Sequence, residues 1–115
     1  MDLDSFEGKK ILIVGDVMLD RYVYGSADRI SDEAPVPIVH VIKERPIPGG
    51  AGNVAANIMS LGGRATLIGM LGNDPAGSAL QQELRKRKIA VLSAPAKNFQ
   101  TIQKVRVLAR GQQLV

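Results

Sequence analysis

The amino-acid sequence predicts an α/β fold built around a parallel sheet, and two observations carry this prediction. Residues 11–14 form an uninterrupted apolar run, Ile-Leu-Ile-Val, which is typical of a strand buried on both faces. After it, helix and strand patterns alternate along the chain, as they do when right-handed crossovers join parallel strands. A proline-rich stretch between the first strand and the first helix predicts a smaller, separate β unit.

This β unit covers about residues 21–48. Residues 22–24 and 36–42 favour strands, but the stretch is interrupted by Pro35, Pro37, Pro46 and Pro48. Because proline has no N–H to donate to a ladder, such strands are confined to sheet edges or to a small sheet. We therefore expect this segment to leave the main domain as a β excursion.

Two helices are expected. The first spans residues 53–61 and is apolar on nearly every face, so we expect it to be deeply buried. Gly62 and Gly63 follow it and favour a left-handed cap. The second helix begins after Asp74, an N-cap residue, with Pro75 at its first position.

Further strands follow these helices. Residues 65–71 and 89–92 are apolar runs that extend the parallel sheet. Residues 101–109 are rich in β-branched side chains, and Arg110-Gly111 after them is typical of a hairpin turn. We expect residues 112–115 to begin one more strand.

The composition excludes several classes of protein. The chain has 115 residues, of which 45% are hydrophobic and 23% charged, a globular balance rather than a disordered one. It has no cysteine, so a disulfide framework and a cysteine-based zinc site are excluded. No apolar run reaches the roughly 18 residues that span a membrane, and the acidic first ten residues do not resemble a targeting peptide. We expect a cytoplasmic protein without a membrane partner.

The net charge of +4 does not indicate a nucleic-acid partner. The one dense basic run, residues 85–88, lies at the end of the second predicted helix, where cations complement the helix dipole. No aromatic residue interleaves with it to stack on bases. A mild positive field also suits a phosphorylated small molecule.

Three polar features are expected at the carboxyl edge of the sheet, where ligands bind in open parallel sheets. They are Asp16 and Asp20 after the first strand, the loop 49–53, and residues 72–74 after the second strand. A carboxylate at this edge can accept hydrogen bonds from adjacent sugar hydroxyls. The alternative is that either aspartate merely caps a turn.

The glycine loop is the sharper signal. Gly49, Gly50 and Gly52 allow a ligand to approach the backbone at a helix start, and Asn53 adds a donor and an acceptor. The loop also satisfies the dinucleotide fingerprint G-x-G-x-x-G/A, but that fingerprint must directly follow a buried strand. Here residues 43–48, with two prolines and three charges, intervene. A purely structural tight turn is the third possibility.

These residues resemble a known family. The run Gly-Gly-Ala-Gly-Asn-Val-Ala at 49–55, with Gly62 and Gly72 at their offsets, is similar to the N-terminal signature of ribokinase-like (PfkB) carbohydrate kinases. More narrowly, four motifs resemble the heptose 7-phosphate kinase domain that is often fused to an ADP-heptose synthase; they lie at residues 15–22, 29–31, 33–37 and 101–108. Asp32 departs from the proline usual in that subfamily, which alters a turn and touches no chemistry.

The resemblance implies roles for particular residues. Asp20 matches the aspartate that binds sugar hydroxyls, and Gly49, Gly50 and Asn53 match the di-glycine substrate loop. Asp16, Lys104 and Arg106 are further candidates, the last two on a motif near the sugar phosphate. The excursion at 21–48 corresponds to a lid that closes over the sugar and commonly forms a homodimer contact. His40 is assigned no role.

The implied reaction transfers the γ-phosphoryl group of ATP, with Mg²⁺, to the anomeric hydroxyl of a heptose 7-phosphate for the lipopolysaccharide core. We find no Gly-Ala-Gly-Asp element of the kind that supplies the family's catalytic base and anion hole. We therefore expect residues 1–115 to form the N-terminal portion of a ribokinase-like domain, with no catalytic residue, no metal ligand and no phosphoryl transfer alone. We also expect the isolated chain to be poorly stable.

Three alternatives stay open on the residues. The first is another PfkB sugar kinase, of the ribokinase or fructokinase type. The second is a fragment of an NAD-dependent dehydrogenase, and the third is a non-catalytic dimerisation module formed by the lid strands.

Overall fold

The fold was determined as a computed structural model that describes residues 3–93 and 98–115. A short 3₁₀ helix, Leu3–Phe6, comes first. The remaining elements, in chain order, are β1 (Lys10–Val14), β2 (Val17–Ile30), β3 (Pro37–Gly50), α1 (Ala51–Ser60), β4 (Arg64–Ile68), α2 (Pro75–Lys86), β5 (Ala90–Leu92), β6 (Ile102–Ala109) and β7 (Gln112–Gln113).

The predicted parallel sheet is present and has three strands in the order β1-β4-β5. β4 is central and pairs in parallel with β1, from Lys10 opposite Arg64 to Val14 opposite Ile68. β5 pairs in parallel with the other edge of β4. The predicted α/β class is therefore confirmed.

Both helices pack on one face of this sheet. Because the strand order advances in a single direction, right-handed crossovers place α1 and α2 on the same side. The buried core joins Leu67 of β4 with Ala55 of α1 and with Leu80 and Leu84 of α2, all of them fully buried. This shared core holds the ends of the parallel strands in a fixed position.

The predicted burial of β1 on both faces is wrong for the described residues. Its side chains alternate, and those that point away from the helices are exposed, Leu12 at 59% and Val14 at 70%. The deep burial predicted for the first helix is also wrong, since Val54 is 49% exposed. The physical reason is the same for both: among the described residues only one face of each element has a neighbour.

The predicted β excursion is a long hairpin that belongs to a second sheet, which we call the lid. Its strand order is β3-β2-β6-β7. β2 pairs with β3 antiparallel from Val17 opposite Gly50 to Ile30 opposite Pro37, so the hairpin spans 17–50 rather than 21–48. As predicted for strands that contain proline, β3 is an edge strand.

β6 is the element that ties the end of the described chain to the lid. It pairs in parallel with β2 over eight residues, from Ile102 opposite Met18 to Ala109 opposite Gly25. Arg110 and Gly111 then form the predicted turn, both with positive φ, at 52° and 75°. The lid is thus a single sheet assembled from two distant parts of the sequence.

The ends of both helices follow the predicted chemistry. The Asp74 side chain caps α2 by accepting the Gly77 N–H at 2.7 Å, and Pro75 is the first helical residue. Gly62, with φ of 91°, follows the C-terminus of α1 in the left-handed region. These short-range signals therefore place both helices to within two residues.

Candidate functional site

The two faces of the lid carry different chemistry, because side chains alternate along each strand. We call one of them the Asp20 face; across β3, β2 and β6 it consists of the rows Gly49-Met18-Ile102, Ile47-Asp20-Lys104, Arg45-Tyr22-Arg106 and Lys43-Tyr24-Leu108. The opposite Leu19 face turns towards α2, and there Val17, Leu19 and Pro48 are buried.

Asp20 has an unsatisfied carboxylate oxygen. It follows β1 in the chain, as the sequence predicted, and lies inside β2. Its Oδ1 is buried, and no residue in the described ranges gives it a hydrogen bond. Because a buried acceptor without a donor costs free energy, this oxygen is suited to accept a hydrogen bond from a ligand hydroxyl.

The absence of a side chain at Gly49 allows β3 to pass close to this carboxylate. A Cβ at position 49 would lie 2.6 Å from the Asp20 carboxyl carbon and from Oδ1, closer than side-chain carbons approach other atoms. Residue 49 is buried. Glycine is therefore required here for the close approach of β3 to the Asp20 side chain.

Gly50 turns the chain from β3 into α1. Its φ is 58°, and a Cβ there would lie 2.5 Å from the Asp16 carbonyl oxygen, which accepts the Ala51 N–H at 2.8 Å. No side chain caps α1, and its first turn has no acidic residue. The helix therefore presents a positive end in its first turn, where Asn53 is exposed.

The structure places the predicted cations Lys104 and Arg106 on the same face as Asp20. Lys104 is the partner of Asp20 on the neighbouring strand, and Arg106 is the partner of Tyr22. Nη1 of Arg106 donates a hydrogen bond to the Tyr22 hydroxyl at 3.1 Å, and its guanidinium carbon lies 5.4 Å from the ring centroid. Hence the hydroxyl-binding and phosphate-binding candidates lie side by side.

Two more cations on this face were missed by sequence reasoning. Arg45 lies opposite Tyr22, and Lys43 lies opposite Tyr24 with its Nζ 4.8 Å from the ring centroid. In the part of the chain that the structure describes, neither they nor Lys104 and Arg106 form an ion pair. Their spacing of two residues along β3 could have indicated that Lys43 and Arg45 share one face of the sheet. The strand register that places Arg45 beside Tyr22 is not visible in the sequence.

Residues 72–74, expected at the same edge, have a structural role instead. The Asp74 carboxylate accepts hydrogen bonds from the Thr101 hydroxyl at 2.6 Å, the Thr101 N–H at 2.9 Å and the Gly77 N–H. The Thr101 hydroxyl, the Thr101 N–H and the Gly77 N–H together hold the pKa of Asp74 below its usual value. Asp74 thus joins α2 to the start of β6 and is not brought together with Asp20.

A cavity of about 600 Å³ lies on the Leu19 face, between the lid and α2. Its charged side chains already have partners, since Arg21 pairs with Glu44 and with Gln103, and Asp74 accepts a hydrogen bond from Thr101. Unlike the Asp20 face, it offers no buried polar group without a partner among the described residues. The Asp20 face is therefore the better candidate site.

The described residues offer little for a metal ion. No group of three or more His, Asp or Glu side chains within ranges 3–93 and 98–115 is placed to hold one. We assign no residue of the Asp20 face to Mg²⁺. Neither of the helices described here combines the length and apolarity needed to cross a bilayer.

The glycine loop does not have the setting of a dinucleotide site. It follows β3, an antiparallel edge strand of the lid, whereas the fingerprint requires a strand of the parallel sheet before the helix. The NAD-dependent alternative is therefore not favoured.

Residues 8–114 match the sequence pattern of the family described as pfkB family carbohydrate kinase. The relatives that resemble this chain include proteins named Bifunctional protein HldE. Those of Aliivibrio salmonicida and Vibrio cholerae are 49% and 50% identical over 113 residues, which cover 98% of this chain and 24% of each relative. That of Photorhabdus laumondii is 50% identical over 117 residues, covering 100% and 24%. The chain thus spans about a quarter of the length of these curated relatives.

Solved structures share the same fold. Phosphofructokinase-2 from Escherichia coli in complex with fructose-6-phosphate has a TM-score of 0.69 and 28% identity, with 93% of this chain and 33% of that chain covered. A carbohydrate kinase from Agrobacterium tumefaciens has a TM-score of 0.74 at 24% identity, covering 93% and 34%, which is a likeness of fold. The sheet, helices and lid described above are thus a known arrangement.

Proposed function

The chain belongs to the pfkB family of carbohydrate kinases, and from that premise we propose that it supplies the sugar-binding part of a heptose 7-phosphate kinase. The proposal rests on one observation above the others. The Asp20 carboxylate has a buried oxygen without a donor, and Lys104 and Arg106 follow it on the same face of the lid. A carboxylate that can accept hydrogen bonds from hydroxyls, next to cations that can bind a phosphate, suits a sugar phosphate.

The spacing of these groups fits one sugar phosphate. Asp20 and Arg106 lie one row apart on the lid, which is a separation of about 7 Å along the strands. A sugar whose hydroxyls meet Asp20 can therefore extend its phosphate towards Arg106. The phosphofructokinase-2 with the same fold binds fructose-6-phosphate, a ligand of the same class.

We propose that Asp20 orients the sugar. By accepting hydrogen bonds from sugar hydroxyls it would fix the ring against the glycine loop, and the positive end of α1 would attract anionic groups of the substrates. In the proposed reaction the sugar's anomeric hydroxyl would attack the γ-phosphorus of ATP and give its proton to a base that none of the residues assigned above supplies. The bond from this phosphorus to the oxygen that bridges the β- and γ-phosphorus atoms would break, and ADP would leave. The expectation that ATP and Mg²⁺ take part rests on the family resemblance. None of the residues assigned above is proposed to bind them.

A phosphoryl-transfer assay tests this function. With protein expressed from the complete reading frame that contains these residues, we expect ATP to phosphorylate heptose 7-phosphate in preference to ribose or fructose. The Asp20→Ala variant should lose this activity, while Asp32→Ala, which changes an exposed carboxylate in the hairpin turn, should retain it. Equal or better use of ribose or fructose would favour the other sugar kinases and contradict the proposal.

We also propose that the lid forms a homodimer contact. An apolar groove of about 510 Å³ lies on the outer lid, opposite the Asp20 face, and is lined by Val23, Val36, Pro37, Val39, Val41, Val107, Leu114 and Val115. Exposed aliphatic surface of this kind favours a protein contact. A solved form of the related phosphofructokinase-2 is described as tetrameric.

The family resemblance further implies a cytoplasmic location.

Sedimentation velocity tests the contact. We expect Val41→Asp, which puts a charge in the groove, to shift a dimer to monomer. The matched control is Val54→Asp on the exposed side of α1, where the valine is exposed to a similar degree, 49% against 52%. If the wild type is monomeric, or if Val41→Asp sediments like the wild type, the lid is not the contact.

A further inference from the structure

We propose that Arg45 is a second arm of the phosphate site and that Tyr22 positions the first arm, Arg106. This inference rests on the proposed function, since it names residues that would select the phosphorylated form of the sugar. Arg45 lies outside the motifs that carry the family resemblance, and Tyr22, the last residue of the motif at 15–22, is given no role by it. Both are identified by the register of the lid strands.

The three residues form one row across the lid. Arg45 on β3 is the antiparallel partner of Tyr22, and Arg106 on β6 is its parallel partner. Paired residues of neighbouring strands project from the same face, so the tyrosine lies between two arginines. The backbones of β3 and β6 are about 9.5 Å apart here, which two arginine side chains can bridge by leaning over the ring.

The Tyr22 side chain holds one of these arginines in place. Its hydroxyl accepts the Nη1–H of Arg106 at 3.1 Å, while its ring lies within cation–π range of the same guanidinium. Both partners are part-buried, which restricts the rotamers of Arg106. The remaining N–H groups of that guanidinium stay available for an anion.

Arg45 is free to serve as the second arm. It is exposed and has no ion-pair partner in the described residues, unlike Arg21 on the other face, which pairs with Glu44. Lys43 is one row farther from Asp20 and lies against the Tyr24 ring. Two guanidinium groups together offer a phosphate more charge-assisted hydrogen bonds than one guanidinium does.

A binding titration with two probes tests the inference. The probes are D-glycero-D-manno-heptose 7-phosphate and the same heptose without phosphate, added to protein from the complete reading frame. For Arg45→Gln we expect the affinity for the phosphorylated probe to fall roughly 10- to 100-fold, with little change for the other. Arg45→Lys should recover part of the loss, because it restores the charge but not the two-pronged geometry.

Tyr22→Phe tests the positioning role, since the ring stays and only the hydrogen-bond acceptor is removed. We expect it to weaken binding of the phosphorylated probe by a few-fold, with the unphosphorylated probe unaffected. The matched control is Arg29→Gln, which removes an exposed arginine elsewhere on the lid. It should bind both probes like the wild type, and all variants should show the wild-type circular dichroism spectrum.

The outcomes separate the two proposals. If the wild type binds neither probe, the proposed function fails, and this inference fails with it. If the wild type prefers the phosphorylated probe and Arg45→Gln keeps that preference, the function stands and the role of Arg45 is wrong. If Arg45→Gln or Tyr22→Phe lowered the affinity for both probes equally, this would show general damage to the lid and would also contradict the inference.

Discussion

Replacing Asp20 by alanine should raise the stability of the ligand-free protein while it weakens sugar binding. Oδ1 of Asp20 is buried and has no donor among the described residues. Leaving such a group unsatisfied costs about 1 to 3 kcal/mol. Since alanine removes this acceptor and loses only a small packing contact, we expect the free energy of unfolding to increase by about 1 kcal/mol.

The same substitution should weaken binding strongly. A hydrogen bond to a charged group contributes about 1.5 to 3 kcal/mol, so loss of the carboxylate corresponds to an affinity roughly 10- to 150-fold lower for heptose 7-phosphate. A stability change of about 1 kcal/mol corresponds to a melting temperature higher by about 4 °C for a domain of this size. Thermal unfolding without ligand and calorimetric titration with the sugar phosphate measure the two effects.

The control is Asp32→Ala, which removes a carboxylate whose side chain is 94% exposed. It should change neither the melting temperature nor the affinity beyond experimental error. If Asp20→Ala unfolds at a lower temperature than the wild type, the carboxylate has a structural partner and is not reserved for a ligand. Unchanged affinity would refute the assigned role directly.

Three further substitutions test the fold. Leu67→Ala empties a site in the middle of the core, where Leu67 is fully buried, and should lower the free energy of unfolding by about 3 to 5 kcal/mol in urea titrations. Gly50→Ala combines a φ of 58° with a Cβ placed 2.5 Å from the Asp16 carbonyl oxygen, and it should lower the free energy of unfolding by about 1 to 3 kcal/mol. Because hydrogen bonds from Thr101 lower the pKa of Asp74, its charged form stabilises the fold above about pH 4, and this contribution disappears as the pH falls through the lowered pKa. The stability difference between wild type and Asp74→Asn should therefore be largest at neutral pH and shrink below about pH 4.

The first two of these substitutions have matched control variants. Leu12→Ala, on the exposed side of the neighbouring strand, should cost less than about 1 kcal/mol, and a cost equal to that of Leu67→Ala would place the core elsewhere. Gly111→Ala has a similar φ but no atom within 4 Å of the added Cβ, so it isolates backbone strain from steric overlap. Gly50→Ala should be the more harmful of the two. A pH-independent difference for Asp74→Asn would show that the Asp74 charge does not stabilise the fold.

Features set by neighbouring residues were predictable from the sequence. Asp74 followed by Pro75, and Arg110 followed by Gly111, encode a helix start and a hairpin turn through groups that lie within a few residues of one another. The parallel order of the sheet also followed from the alternation of elements. The burial of the strands could not be predicted in the same way. The exposure of Leu12 depends on which elements pack against the sheet and not on the sequence of its own strand.

The Asp20 face could be predicted only in part. Asp20, Lys104 and Arg106 were assigned roles through motifs, whereas the placement of Arg45 and Arg106 on either side of Tyr22 depends on how β3 and β6 pair with β2. A bulge in β3 shifts that register between Lys43 and Val41, so simple alternation along the sequence assigns wrong faces beyond it. Pairings between strands so far apart in sequence leave no local signal.

A crystal structure with bound heptose 7-phosphate would test the central claim most directly. We expect a sugar hydroxyl within hydrogen-bond distance of Asp20 Oδ1, with the phosphate next to Arg106 on the same face of the lid. Density for the sugar in the cavity between the lid and α2, next to Arg21 and Asp74, would contradict it.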